Sequence, residues 1–65
     1  MEVILNGNSH LVIHGCTVSD LINELALDGK FAIEVNQTIV PRSQYTSTKI
    51  NPGDAIEIVQ AIGGG

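Results

Sequence analysis

Sixty-five residues, 43% hydrophobic and 15% charged, make one globular domain whose single core leaves little room for a deep pocket or an internal catalytic set. The net charge is −4, with Lys30, Arg42 and Lys49 the only cations, so the clustered basic surface that nucleic acid requires is missing. Cys16 is the single cysteine, which excludes an internal disulfide and a thiolate-rich metal site, and no apolar run approaches the ~20 residues that span a bilayer. The chain enters strand-like sequence with no basic leader, so a reducing, cytoplasmic setting is expected. The acidic balance suits either a partner with a basic docking face or plain solubility.

Val3-Ile4-Leu5 is rich in strand formers, and Asn6-Gly7 is a strong hairpin signal. His10-Leu11-Val12-Ile13-His14 then reads as a second strand, with Leu11 and Ile13 facing inward and His10, Val12 and His14 outward. Thr17-Val18-Ser19-Asp20 is a capping-box variant with Asp in place of Glu or Gln. Val18, Leu21, Ile22 and Leu25 form one apolar stripe at helical spacing. Gly29, after Asp28, suits the left-handed position that closes the helix at roughly three turns.

Phe31-Ala32-Ile33-Glu34-Val35 alternates as a third strand, Asn36-Gln37 turns, and Thr38-Ile39-Val40 is a short strand ended by Pro41. The stretch from Arg42 to Ile50 is polar and irregular, with room for a helical turn. Asn51-Pro52-Gly53-Asp54 suits a type II turn, and Ala55-Ile56-Glu57-Ile58-Val59-Gln60 is the last strand. The order β-β-α-β-β-β predicts an α+β domain: a mixed sheet with one helix across one face, its first and last strands central and parallel. That is the β-grasp architecture of ubiquitin.

The chain ends in Ala61-Ile62-Gly63-Gly64-Gly65. The expected division is a folded body over residues 1–62 and a flexible glycine tail over 63–65. Glycine gives a packed domain little, so the tail suits a terminal carboxylate that must reach into another protein's narrow site; ordinary terminal fraying gives the same sequence.

Val35-Asn36-Gln37-Thr38-Ile39-Val40-Pro41-Arg42, the Thr17-initiated helix with Leu21 and Leu25, the Gly53-Asp54 turn and the terminal Gly64-Gly65 together resemble the ThiS-type sulfur carriers of thiamine biosynthesis. The resemblance covers essentially the whole chain. It implies a carrier, not an enzyme, with no bound cofactor. An E1-like enzyme would use ATP and Mg²⁺ to adenylate the Gly65 carboxylate. A persulfide sulfur supplied through a cysteine desulfurase would convert it to a thiocarboxylate, and thiazole synthase would take the sulfur. Gly64 would share the narrow tunnel with Gly65, and Gly63 would let the leash bend. Two other carriers of this architecture stay open, a molybdopterin-synthase small subunit and a ubiquitin-like modifier joined to lysines. A β-grasp RNA-associated module is disfavoured by the acidic balance.

For docking, alternation places Val3, Leu5, Leu11, Ile13, Ile33, Ile56 and Ile58 in the core and turns Ile4, Val12 and Val59 outward as an aliphatic patch beside the tail. Arg42 either grips a partner carboxylate or anchors the irregular segment. Cys16 reads as a small packed hydrophobe, not a sulfur carrier. His10 and His14 read as solvated, and Glu24, Asp28, Glu34, Asp54 and Glu57 as surface carboxylates with no histidine partner.

Overall fold

A computed structural model describes residues 1–60. In chain order the elements are β1 (Glu2–Leu5), β2 (Asn8–Leu11), α1 (Val18–Glu24), β3 (Phe31–Val35), β4 (Thr38–Ile39), a 3₁₀ turn (Arg42–Gln44) and β5 (Ala55–Gln60). They form one five-stranded sheet in the order β2-β1-β5-β3-β4. The first and last strands are central and parallel, with Ile4 opposite Ala55 and Leu5 opposite Ile56; the other pairings are antiparallel. This is the β-grasp arrangement.

The core unites sheet and helix: Val3, Ile33 and Ile56 from the strands meet Val18 and Leu21 of α1, with Val12, Val40 and Ile50 closing the sides. The helix starts where its cap requires. Thr17 N–H donates to Asp20 Oδ2 at 2.9 Å, and Asp20 N–H donates to Thr17 Oγ1 at 3.2 Å, so the box closes with Asp in the usual Glu position. The polar segment is pinned to that end, because Val18 N–H donates to Thr48 O and Ser19 N–H to Tyr45 O, both at 2.9 Å.

The helix ends sooner than its apolar stripe suggests. It stops at Glu24 with Leu25 as cap, and Ala26, not Gly29, takes the left-handed position at φ 53°. Ala26 N–H donates to Asn23 O and Leu27 N–H to Ile22 O, the paired bonds of a Schellman ending. Gly29 has φ 76° but lies three residues beyond Ala26, in the connection to β3.

The second strand is in the opposite phase to the one its alternation suggests. Asn6 (φ 49°) and Gly7 (φ 83°) form a two-residue turn with both φ positive, which makes Leu5 and Asn8 the closing pair. From there the register sets Val3 opposite His10 and Glu2 opposite Leu11. A one-residue shift exchanges the two faces of a strand. Val12 is therefore core at 6% exposure, while Leu11 and Ile13 stand out at 74% and 80%. Val12 is also clasped to the chain start: its N–H donates to Met1 O at 2.9 Å, and its carbonyl accepts from the Met1 ammonium at 2.6 Å. Leu11 and Ile13 outnumber Val12 in the apolar pattern, but the turn fixes the register.

Candidate functional site

Strand β5 is the element that carries the chain toward its glycines, and its pairing decides what surrounds their root. It lies between β1 and β3, with Phe31 opposite Gln60 and Ala32 opposite Val59 at its far end. The expected working residues, Gly63, Gly64 and Gly65, and the boundary after Ile62 lie outside the described residues. An open groove of about 400 Å³ sits at the root of the tail, lined by Leu5, Asn6, Leu25, Leu27, Ile58 and Gln60. None of those side chains titrates, so the groove offers no nucleophile or general base.

The sheet face away from α1 can be read from the pairing. Ile4 (39% exposed) and Val59 (61% exposed) face outward as expected, whereas Val12 does not belong to this face. Leu11 and Ile39 do: Leu11 lies across from outward Glu2, and Ile39 across from outward Glu34. Sequence alternation missed both. The Asn6-Gly7 turn, counted as a strict two-residue loop, was the signal that could have recovered Leu11. Ile4 with Leu11, and Val59, mark two separate places on this face, and Ile39 stands on β4 level with Glu34. Ile4 pairs with Ala55, while Val59 pairs with Ala32 four residues further along β5, roughly 13 Å at the usual strand rise.

Between these two places two carboxylates face each other, Glu34 on β3 and Glu57 on β5. Like charges directly opposite destabilise a sheet. Glu2 shares the outward face, and Arg42, Lys30 and Lys49 all lie outside the paired strand positions that form it. The face is therefore apolar at two places, with Glu34 and Glu57 between them and Ile39 beside Glu34 on β4. Arg42 is exposed in the 3₁₀ turn directly after Pro41.

Asp54, His10 and Glu24 depart from their sequence reading, whereas His14 and Cys16 follow it. Asp54 is not a solvated carboxylate: it is 8% exposed, its Oδ1 accepts from Asn36 Nδ2 at 2.9 Å, and its Oδ2 accepts from Asn51 N–H at 2.8 Å. A buried charge is tolerated only with such partners. His10 is partly exposed but not free. The corrected phase turns it to the helix side, where its Nε2 lies 2.9 Å from Glu24 Oε1, so Glu24 does have a histidine partner. His14 is exposed beyond the strand end. Cys16 packs half-buried against the core, and that burial, with Asp20 nearby, pushes its thiol pKa up. A raised pKa keeps the thiol protonated and weakens it as a nucleophile.

One helix on a mixed sheet, with its central strand leading into a glycine-rich terminus, defines a ubiquitin-like β-grasp protein. The ThiS family model matches residues 3–65, and the chain belongs to that family. Among relatives, the sulfur carrier protein ThiS of Escherichia coli is 33% identical over the whole of both chains. A thiazole synthase of Paramagnetospirillum magneticum is 42% identical over all of this chain, which spans only 20% of that relative's length. Among solved structures, the crystal structure of the thiamine biosynthesis protein ThiS from Geobacter metallireducens matches with a TM-score of 0.86 at 26% identity, each chain fully covered. Among the described residues no helix is long and apolar enough to cross a membrane.

Proposed function

We propose that this chain is a sulfur carrier of thiamine biosynthesis whose working group is the Gly65 carboxylate. The observation that carries this reading is the family match, which runs through the glycines to residue 65. A carboxylate is a poor electrophile until one oxygen becomes a good leaving group. In this reading an E1-like partner uses ATP and Mg²⁺ to form the acyl adenylate, expelling pyrophosphate. The terminal sulfur of a persulfide donor, charged through a cysteine desulfurase, then displaces AMP to give an acyl disulfide. A partner thiol attacks the donor sulfur of that S–S bond, forming a disulfide with it and releasing the thiocarboxylate. Gly63, Gly64 and Gly65 contribute by lacking a Cβ, so a narrow channel can accept the backbone. The chain acts as a substrate and donor, not as an enzyme, and works in the cytoplasm.

Thiazole synthase is the proposed acceptor. Its support is the relative named thiazole synthase, in which a segment like this chain occupies a fifth (20%) of the polypeptide. Docking is assigned to the outer sheet face through Ile4 and Val59, now joined by Leu11 and Ile39. Glu34 and Glu57 favour a partner surface that is apolar with basic groups. Arg42 is assigned to a carboxylate on a partner, since its guanidinium is exposed.

The test is intact-mass spectrometry after incubation with ATP, an E1-like enzyme and a sulfur source. Replacement of one oxygen by sulfur supports the carrier reading. Isopeptide adducts of higher mass would instead favour a modifier.

A further inference from the structure

Two asparagines flank β5 in the same unusual way. Asn6 and Asn36 both sit in hairpin turns at left-handed φ, 49° and 52°. Each donates its backbone N–H to β5 and accepts a β5 N–H on its side-chain oxygen. Asn36 N–H reaches Ala55 O at 2.7 Å, and Ala55 N–H returns to Asn36 Oδ1 at 2.9 Å. Asn6 N–H reaches Ile56 O at 2.8 Å, and Ile58 N–H returns to Asn6 Oδ1 at 2.8 Å. Asn36 thus ties the start of β5, and Asn6 ties it close to where the tail begins.

The second tie has a specific logic. In a parallel ladder one residue bonds to two alternate residues of its neighbour, donating to the first and accepting from the second. Ile4 N–H donates to Asp54 O, and Asn6 N–H donates to Ile56 O. The next rung would run from Ile58 N–H to the Asn6 carbonyl. That carbonyl is unavailable because the backbone has already entered the turn. Asn6 Oδ1 takes its place, so a side chain extends the β1–β5 ladder by one rung after β1 has ended. Beyond Ile58, the pairing of β5 continues only with β3, as far as Phe31 opposite Gln60.

We propose that Asn6 is a positioning residue for the reaction at the C-terminus: by holding Ile58, it fixes the place and direction from which the tail leaves the domain. This role rests on the carrier reading. With β5 held on both edges as far as Ile58, two residues before its end, less of the tail's approach has to be ordered when an activating enzyme binds, and ordering on binding costs affinity. Losing the tie should therefore weaken recognition, leaving chemistry at the carboxylate unchanged once the tail is seated.

The experiment compares Asn6→Gly with Asn6→Asp. Glycine keeps the positive-φ turn and removes the acceptor; aspartate tolerates that conformation and keeps an acceptor oxygen. Amide hydrogen exchange is read at Ile58, with the Ile4 amide as control for global stability, and adenylation kinetics are read with an E1-like partner. Asn6→Gly should speed Ile58 exchange by roughly 3- to 10-fold beyond any change at Ile4, the worth of one hydrogen bond. KM for the carrier should rise several-fold with kcat unchanged, and Asn6→Asp should restore both. Selective loosening of Ile58 with unaltered KM, or no selective loosening, overturns the role while leaving the carrier reading intact. A wild-type chain that is never adenylated overturns both.

Discussion

Ala26 carries a conformation that suits another residue. It occupies the left-handed end of α1 at φ 53°, which costs an L-residue about 1–2 kcal/mol. Glycine removes that strain but gains freedom in the unfolded chain worth about 0.4–1 kcal/mol. Ala26→Gly should stabilise the domain by about 0.5–1 kcal/mol, read as a higher urea midpoint with an unchanged slope. Asp54 predicts the opposite sign. Replacing it by Ala orphans the Asn36 amide and the Asn51 N–H together, and the loss should be about 2–3 kcal/mol. A double-mutant cycle with Asn36→Ala should recover part of that as coupling. Asn36 belongs to the stretch that most resembles the sulfur-carrier family, yet its visible work is to fasten the β3–β4 turn to β5. Val40, in the same stretch, is core.

At the scale of elements, β2 shows where sequence reading succeeds and fails. The hairpin was legible because Asn6-Gly7 is unambiguous chemistry. The facing was not: two exposed apolar residues, Leu11 and Ile13, outweigh one buried valine in any count of alternation. Only the register imposed by a two-residue turn resolves it, and the same correction brings His10 to Glu24. The cap of α1 was legible because both its partners lie within four residues. Its end was not, because alanine gives no signal of positive φ. The burial of Asp54 was hidden for another reason: its partner Asn36 lies 18 residues away, and such pairings are set by the assembled sheet. The outer face yields its own prediction. Glu57→Gln should relieve the repulsion from Glu34 and raise stability by about 0.2–1 kcal/mol. The same change should weaken docking to the activating enzyme at low salt, with the difference fading as salt screens the field. A gain in both stability and affinity would remove the docking assignment from these glutamates.

For the whole molecule, one helix on a five-stranded sheet and a central parallel pair formed by the first and last strands were readable from element order alone. The topology has a functional consequence. The strand that leads to the glycines is bonded on both edges for most of its length, so the body offers a stable base for the terminus that the proposed function makes reactive. Cys16, the chain's one thiol, is half-buried against the core, and that burial holds it protonated. In the proposed function all transferable sulfur sits on the backbone terminus. The most direct measurement is intact mass after incubation with ATP, an E1-like enzyme and a sulfur donor, applied to three proteins: the wild-type chain, Cys16→Ser, and a folded version amidated at Gly65. The first two should each gain one sulfur in exchange for one oxygen, and the amidated chain should gain none. Sulfur retained by the amidated chain, or lost with Cys16, would contradict the account.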